Sequence, residues 1–154
     1  AQPDLNLGWS NNFQYKNWNL DLFFTGVLGQ DIYNATAEQY SNVSFVKEGR
    51  NVLKSVATEH RATDTQSQAP SNRWIENGSY FRLSSVSLGY TFGKIGNWIN
   101  SFKLYATCNN VFTITGYSGR DPEINLGGLE PGMDRRTNYY PRTRSFMIGV
   151  NMNF

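Results

Sequence analysis

The chain has one cysteine and one histidine in 154 residues, five prolines, and no long apolar run. A single cysteine, Cys108, excludes an intrachain disulfide, and in a strand-like context it reads as a small side chain and not as a reactive thiol. The lone His60 sits in a charged segment without identifiable partners, so it makes neither a metal site nor a catalytic triad, and no cofactor is expected. A membrane helix needs about 20 consecutive apolar residues; a helical membrane protein is therefore excluded. The net charge is only +2, and no basic cluster interleaves with aromatics, which sets nucleic acid aside as a partner. The opening Ala1-Gln2-Pro3-Asp4 has neither the basic start nor the apolar stretch of a signal peptide. An exported chain of this kind has lost its signal or is the distal part of something longer.

Asn, Ser, Thr, Gly and aromatic residues are plentiful, the last at 15%, and they fall in a period of two. Phe146, Ile148, Val150, Met152 and Phe154 alternate with Ser145, Met147, Gly149, Asn151 and Asn153. That is a strand with different surroundings on its two faces. Taken alone, it fits the closing strand of an outer-membrane β-barrel and the last strand of a soluble carbohydrate-binding β-sandwich equally well.

Four more strands are expected before it, over about 5–15, 18–30, 79–92 and 102–113, with the terminal one over 142–154. The first places Leu5, Leu7, Trp9, Phe13 and Tyr15 on one face, and Lys16-Asn17 make a hairpin turn into Trp18, Leu20, Leu22 and Phe24. The third aligns Val86, Leu88, Tyr90 and Phe92. The fourth aligns Phe102, Leu104, Ala106 and Cys108, and its phase slips at Asn109-Asn110, which predicts a bulge. Residues 31–78 and 115–141 lose periodicity and gather charge, with short helices expected near 35–38 and 46–59. Connections of this length are unusual in a compact soluble domain but ordinary on the extracellular side of a large barrel.

The charges favour the barrel. Within the lipid-crossing parts of the strands only Asp21 and Lys103 are charged, and both fall on the interior face. A lipid-facing Lys or Arg at the midplane costs about 2–4 kcal/mol, whereas a sandwich carries charges along its solvated strand positions. Tyr15, Trp18, Tyr90, Phe92, Trp98, Phe102 and Phe154 share the short-turn level and are expected to form an interfacial girdle against outer-membrane lipid. Five strands cannot close, and an open edge cannot remain in lipid, so an all-β, antiparallel transmembrane segment of a larger barrel is expected.

The residues also resemble a known family. The stretches Asn77-Gly78-Ser79-Tyr80-Phe81-Arg82-Leu83-Ser84-Ser85-Val86-Ser87-Leu88-Gly89-Tyr90-Thr91-Phe92, Leu104-Tyr105-Ala106-Thr107-Cys108-Asn109-Asn110-Val111-Phe112-Thr113-Ile114-Thr115-Gly116-Tyr117-Ser118-Gly119-Arg120-Asp121-Pro122-Glu123, and Tyr140-Pro141-Arg142-Thr143-Arg144 are similar to SusC/RagA-type TonB-dependent transporters. The first hairpin and first long loop match less sharply. The resemblance implies the last five strands of a barrel of about 22 with a plugged lumen. It further implies a SusD-like surface lipoprotein as lid, the TonB system acting through an amino-terminal region absent from this chain, import without covalent chemistry, and a place in the bacterial outer membrane.

Candidate contacts for a ligand or for the lid are the loop aromatics Tyr40, Trp74, Tyr117, Tyr139 and Tyr140. Flat rings beside Asn, Asp and Arg suit a pyranose face, and Tyr, Trp and Arg are equally enriched at protein interfaces; lid contact or loop packing is favoured over direct ligand contact. Asp121, Glu123, Glu130 and Asp134 lack EF-hand spacing and read as a solvated loop. Asn34-Ala35-Thr36, Asn42-Val43-Ser44 and Asn77-Gly78-Ser79 match a glycosylation acceptor only formally. The expected function is nutrient import, of oligosaccharides or peptides. The alternatives are a barrel fragment bound by outer-membrane assembly machinery through strand addition, or the soluble sandwich.

Overall fold

The computed structural model describes residues 2–41, 46, 48–52, 54, 70–94, 96–124, 132–134 and 141–154. The strongest alternation produces the longest strands: β1 (Leu5–Tyr15), β2 (Trp18–Leu28), β5 (Tyr80–Phe92), β6 (Ser101–Thr115) and β7 (Ser145–Asn153). Between them lie β3 (Asp31–Tyr33), α1 (Ala35–Tyr40), a 3-10 turn (Asn72–Trp74) and β4 (Ile75–Asn77). The chain forms two compact units, each built on a different physical basis.

The first unit, residues 5–28, 80–115 and 142–154, is a five-stranded antiparallel sheet in the order β1-β2-β5-β6-β7. Its register aligns the alternating residues strand by strand. Asn11, Leu22, Val86, Cys108 and Phe146 form one cross-strand row, and Tyr15, Trp18, Tyr90, Leu104 and Val150 another. The opposite face carries the row Asn12, Asp21, Ser87, Thr107 and Met147. Five separately read apolar faces thus become one continuous face. From Leu5 to Tyr15 it extends about 33 Å along the strand, or about 25 Å at the ~40° tilt usual in membrane barrels, which matches their apolar band.

One strand breaks its alternation. Phe23 pairs with Ser85 but Phe24 pairs with Leu83, leaving Ser84 as an extra residue in β5. Ser84 Oγ lies 2.7 Å from Thr25 Oγ1, so Ser84 and Ser85 both occupy the polar face. The slip reverses parity beyond it: Phe81 and Leu83 join the apolar face, and Arg82 turns to the polar one. In β6 the register shifts at the same level, where Asn110 adopts φ 52°, a left-handed conformation that Asn tolerates better than most residues. Its side chain donates to Thr143 O at 2.8 Å.

The second unit gathers residues 1–4, 29–79 and 116–141. Segments expected to be mere connections contain paired structure: Asp31, Ile32 and Tyr33 pair with Asn77, Glu76 and Ile75. The chain leaves β2 at Gly29, whose φ of 73° suits glycine and ends the strand at Leu28, short of residue 30. Ile32, fully buried, packs with Tyr117 and Ile124 as the core of the unit. Gly78 permits that packing, since a side chain there would begin 2.3 Å from Ile32 Cδ1. Gln30, also buried, donates from Nε2 to Pro122 O at 2.8 Å, and Gly78 N donates to Gln30 O at 2.7 Å. The expected helix near 35–38 corresponds to α1; of the one near 46–59, half lies outside the described residues, and residues 48–52 within it are turn and irregular chain, not helix.

Candidate functional site

In the loop unit, α1 begins where Asn34 Oδ1 accepts from Ala37 N at 2.8 Å, an N-cap interaction that satisfies one open helical donor. The same side chain uses Nδ2 on Glu76 Oε1 at 2.9 Å and on Ser118 Oγ at 3.2 Å. Glu76 in turn accepts from Ser118 Oγ at 2.7 Å and from Ser118 N at 2.8 Å. One carboxylate therefore joins the segment entering α1 to the segment following β6. Asn34 is almost wholly buried, so its formal glycosylation motif is closed to modification.

A second junction is built on Asp134. Its Oδ2 accepts from the Tyr117 hydroxyl at 2.6 Å, its Oδ1 lies 3.3 Å from Thr36 Oγ1, and its backbone pairs with Tyr33 O at 2.9 Å and Thr36 N at 3.1 Å. Asp121 is buried as well and accepts from Glu123 N at 3.0 Å. The reading of this acidic group as a solvated loop fails for Asp121 and Asp134: both are buried hydrogen-bond acceptors, Asp121 in a local turn with Glu123 and Asp134 with Tyr117 and Thr36 from other segments. Glu130 and His60 lie outside the described residues.

Between these junctions is a cleft of about 370 Å³ lined by Asn34, Thr36, Tyr40, Ser118, Arg120 and Asp134, among others. Of the five loop aromatics singled out from sequence, Tyr40 lines this cleft. Trp74 and Tyr117 are 8% and 6% exposed, and Tyr139 and Tyr140 lie outside the described residues. The Arg73 guanidinium stands 4.8 Å from the Trp74 ring, in cation–π range. Beside the cleft, the Tyr33 hydroxyl donates to Glu38 Oε2 at 2.8 Å. Burial, then the hydrogen bond and the negative charge of Glu38, hold the Tyr33 phenol above its usual pKa, because each of them penalises the phenolate.

In the sheet unit, the polar face contains Asp21 and Lys103 as expected, with Asp21 accepting from the Asn12 amide. It also contains Arg82, a strand charge the sequence reading left out. Arg82 is 2% exposed, donates from Nε to Thr113 Oγ1 at 2.8 Å and lies 5.3 Å from the Tyr80 ring. The small flanking Thr25 and Thr113 leave it room.

On the apolar face Trp18, Tyr90, Phe92 and Phe102 form an unbroken chain of ring contacts at 4.8, 4.6 and 5.4 Å. Tyr15 sits opposite Trp18, while Trp98 and Phe154 are highly exposed. A second row, Trp9, Phe24 and Phe81, stacks at 5.3 and 5.4 Å. Sequence reading missed this row because Phe81 reaches the face only through the bulge at Ser84.

A sheet with one apolar face, aromatic rows and polar residues opposite defines a segment of antiparallel β-barrel wall. The comparisons narrow the class. No protein-family model matches the chain. It is 30% identical, over 99% of its length, to TonB-dependent receptor P3 of Formosa agariphila, of which it spans 16%. It is 28% identical, over 98% of its length, to TonB-dependent receptor SusC of Bacteroides thetaiotaomicron, of which it spans 15%. Its fold matches the RagAB peptide importer in the closed-closed state with a TM-score of 0.73 at 21% identity, covering 99% of this chain and 17% of that one. The open-open state of that importer matches with a TM-score of 0.71. The chain is thus similar to SusC/RagA-type TonB-dependent receptors in sequence and in fold over nearly its whole length. The soluble sandwich falls away, since the sheet matches a stretch of that importer instead.

Proposed function

We propose that this chain supplies five adjacent wall strands, the last of a barrel of about 22, and two cell-surface loops of a bacterial outer-membrane importer. The importer is energised by the TonB system and lidded by a SusD-like lipoprotein. The observation that carries this reading is the register, which merges five apolar strand faces into one while Asp21, Arg82 and Lys103 fall on the other. The likeness to SusC and RagAB supports an oligosaccharide or a peptide as cargo. Tyr40 and the cleft with Arg120 are offered to cargo or lid, and Trp74 and Tyr117, by their burial, shape the loops that carry them; Tyr139 and Tyr140 stay candidates for the same contacts. Tyr15, Trp18, Tyr90, Phe92, Trp98, Phe102 and Phe154 form the lower interfacial girdle. The work is transport, with no bond made or broken.

Deleting the gene that encodes the full-length protein should abolish growth on one class of oligosaccharide or peptide, with an equal defect when TonB is removed. Unimpaired uptake of every such nutrient, with the protein absent from the outer membrane, would overturn the reading. A second reading, engagement by barrel assembly machinery during biogenesis, is favoured by β1 and β7 standing at the two sides of the sheet, where strand addition operates. Cross-linking at these strands to the assembly machinery in cells that also import normally would make it a stage in the life of the same protein.

A further inference from the structure

We infer that the outer face of β5, β6 and β7 holds one acyl chain of an anionic glycerophospholipid, seated in a built groove. This rests on the reading of the sheet as a lipid-facing wall and adds a discrete site to it. The groove has a volume of about 500 Å³ and is almost wholly apolar. Its floor is Ala106, and the register puts Leu88 and Ile148 directly across from it on the two neighbouring strands. A methyl group between two branched side chains leaves a trough one hydrocarbon chain wide. Trp18, Tyr90 and Phe92 line it toward the short-turn end, held in place by their ring contacts.

The chemistry at that end selects the ligand. Lys16 precedes Trp18 by two residues, Lys94 follows Phe92 by two, and both are exposed. Thr91 N donates to Asn17 O at 2.8 Å, which ties the Lys16-Asn17 turn to the end of β5 from which Lys94 continues. Among the described residues of the two short turns, 16–17 and 93–100, there is no acidic side chain. An apolar trough closed by amphipathic rings and followed by two ammonium groups matches, in order, an acyl chain, a glycerol ester region and a phosphate. Short turns of such barrels face the periplasm, where the leaflet supplies glycerophospholipid.

The test uses the full-length protein in nanodiscs containing phosphatidylglycerol with a photoactivatable diazirine on its acyl chain, with cross-linked peptides mapped by mass spectrometry. Labelling should concentrate on Leu88, Leu104 and Ile148 and be lost from them in Ala106→Leu, which fills the trough, while labelling near Trp9 and Phe24 persists. In Lys16→Gln and Lys94→Gln, labelling at the groove should fall about fivefold for each lysine removed, the factor one basic side chain is worth near an anionic surface. A phosphatidylcholine probe should show no such dependence. Even labelling along the whole apolar face, indifferent to Ala106→Leu and to the lysines, would overturn the groove and leave the wall intact. Labelling absent from that face altogether would overturn the wall reading with it.

Discussion

The ring of Tyr105 covers Gly149. The two are directly opposite across the β6–β7 pair on the polar face, and a side chain on Gly149 would begin 2.3 Å from Tyr105 Cζ. An aromatic ring laid over a cross-strand glycine packs a site that would otherwise be a gap, and it fixes the register of the final strand. Gly149→Val in the full-length protein should therefore cost about 1–3 kcal/mol, the usual penalty of overpacking. The effect would appear as a lower midpoint for heat-induced loss of compact migration on gels. Adding Tyr105→Ala should return part of it, and an unaltered midpoint in Gly149→Val would contradict the packing.

In the loop unit, Tyr117→Phe removes the hydroxyl that donates to Asp134 and leaves a buried acceptor short of a partner, a loss of about 1–3 kcal/mol. Because the Tyr33 and Thr36 amides bond to Gly132 O and Asp134 O, hydrogen exchange at those two amides should accelerate while exchange in β5 stays the same. Equal acceleration throughout would show that the loops have no separate junction at Asp134.

Tyr33 should lend the loop unit an alkaline limit. Its folded pKa is raised above the ordinary 10.0, so the folded state holds the phenolic proton more tightly than the unfolded chain does. The associated stability is fully present below about pH 10 and is lost as pH rises through the folded pKa. A difference absorbance titration of the protein against Tyr33→Phe should place this phenol's midpoint above 10, and Glu38→Gln should bring it down. A midpoint at or below the ordinary value would refute the coupling.

The two faces of β2 should respond oppositely to charge. Leu22→Arg puts a cation on the lipid side and is expected to cost about 2–4 kcal/mol near the midplane. Asp21→Asn, one position away on the polar face, should cost far less. Folding into lipid vesicles under urea titration measures both, and equal costs would mean that the face assignment is wrong.

Which long strands form and which of their faces is apolar were readable from the residues, because two unlike surroundings impose a period of two that survives without any knowledge of partners. Asp21 and Lys103 fall opposite the apolar face for that reason. The phase slip at Asn109-Asn110 was visible too, since a single strand shows its own loss of alternation. Arg82 and Phe81 were not. Ser84 and Ser85, adjacent and small, fit either face, so β5 reads as unbroken, and only pairing against β2 exposes the extra residue. The loop unit was less legible still. Glu76 and Asp134 look like surface charges until distant segments bring Ser118, Asn34 and Tyr117 to them.

By itself, then, the sequence determined the antiparallel strands, the apolar face and the aromatic level near the short turns, all of which follow from local alternation against two surroundings. The tertiary structure decided what depends on partners. It turned Arg82 inward by a bulge that only a neighbouring strand defines, added Trp9, Phe24 and Phe81 as a second aromatic row, and converted two long connections into a unit with its own core. In that unit, hydrogen bonds between segments more than forty residues apart, such as Asn34 with Glu76 and Ser118, replace the periodicity that the sequence lacks. Such contacts carry no local signature, because each is satisfied only when both segments are already in place.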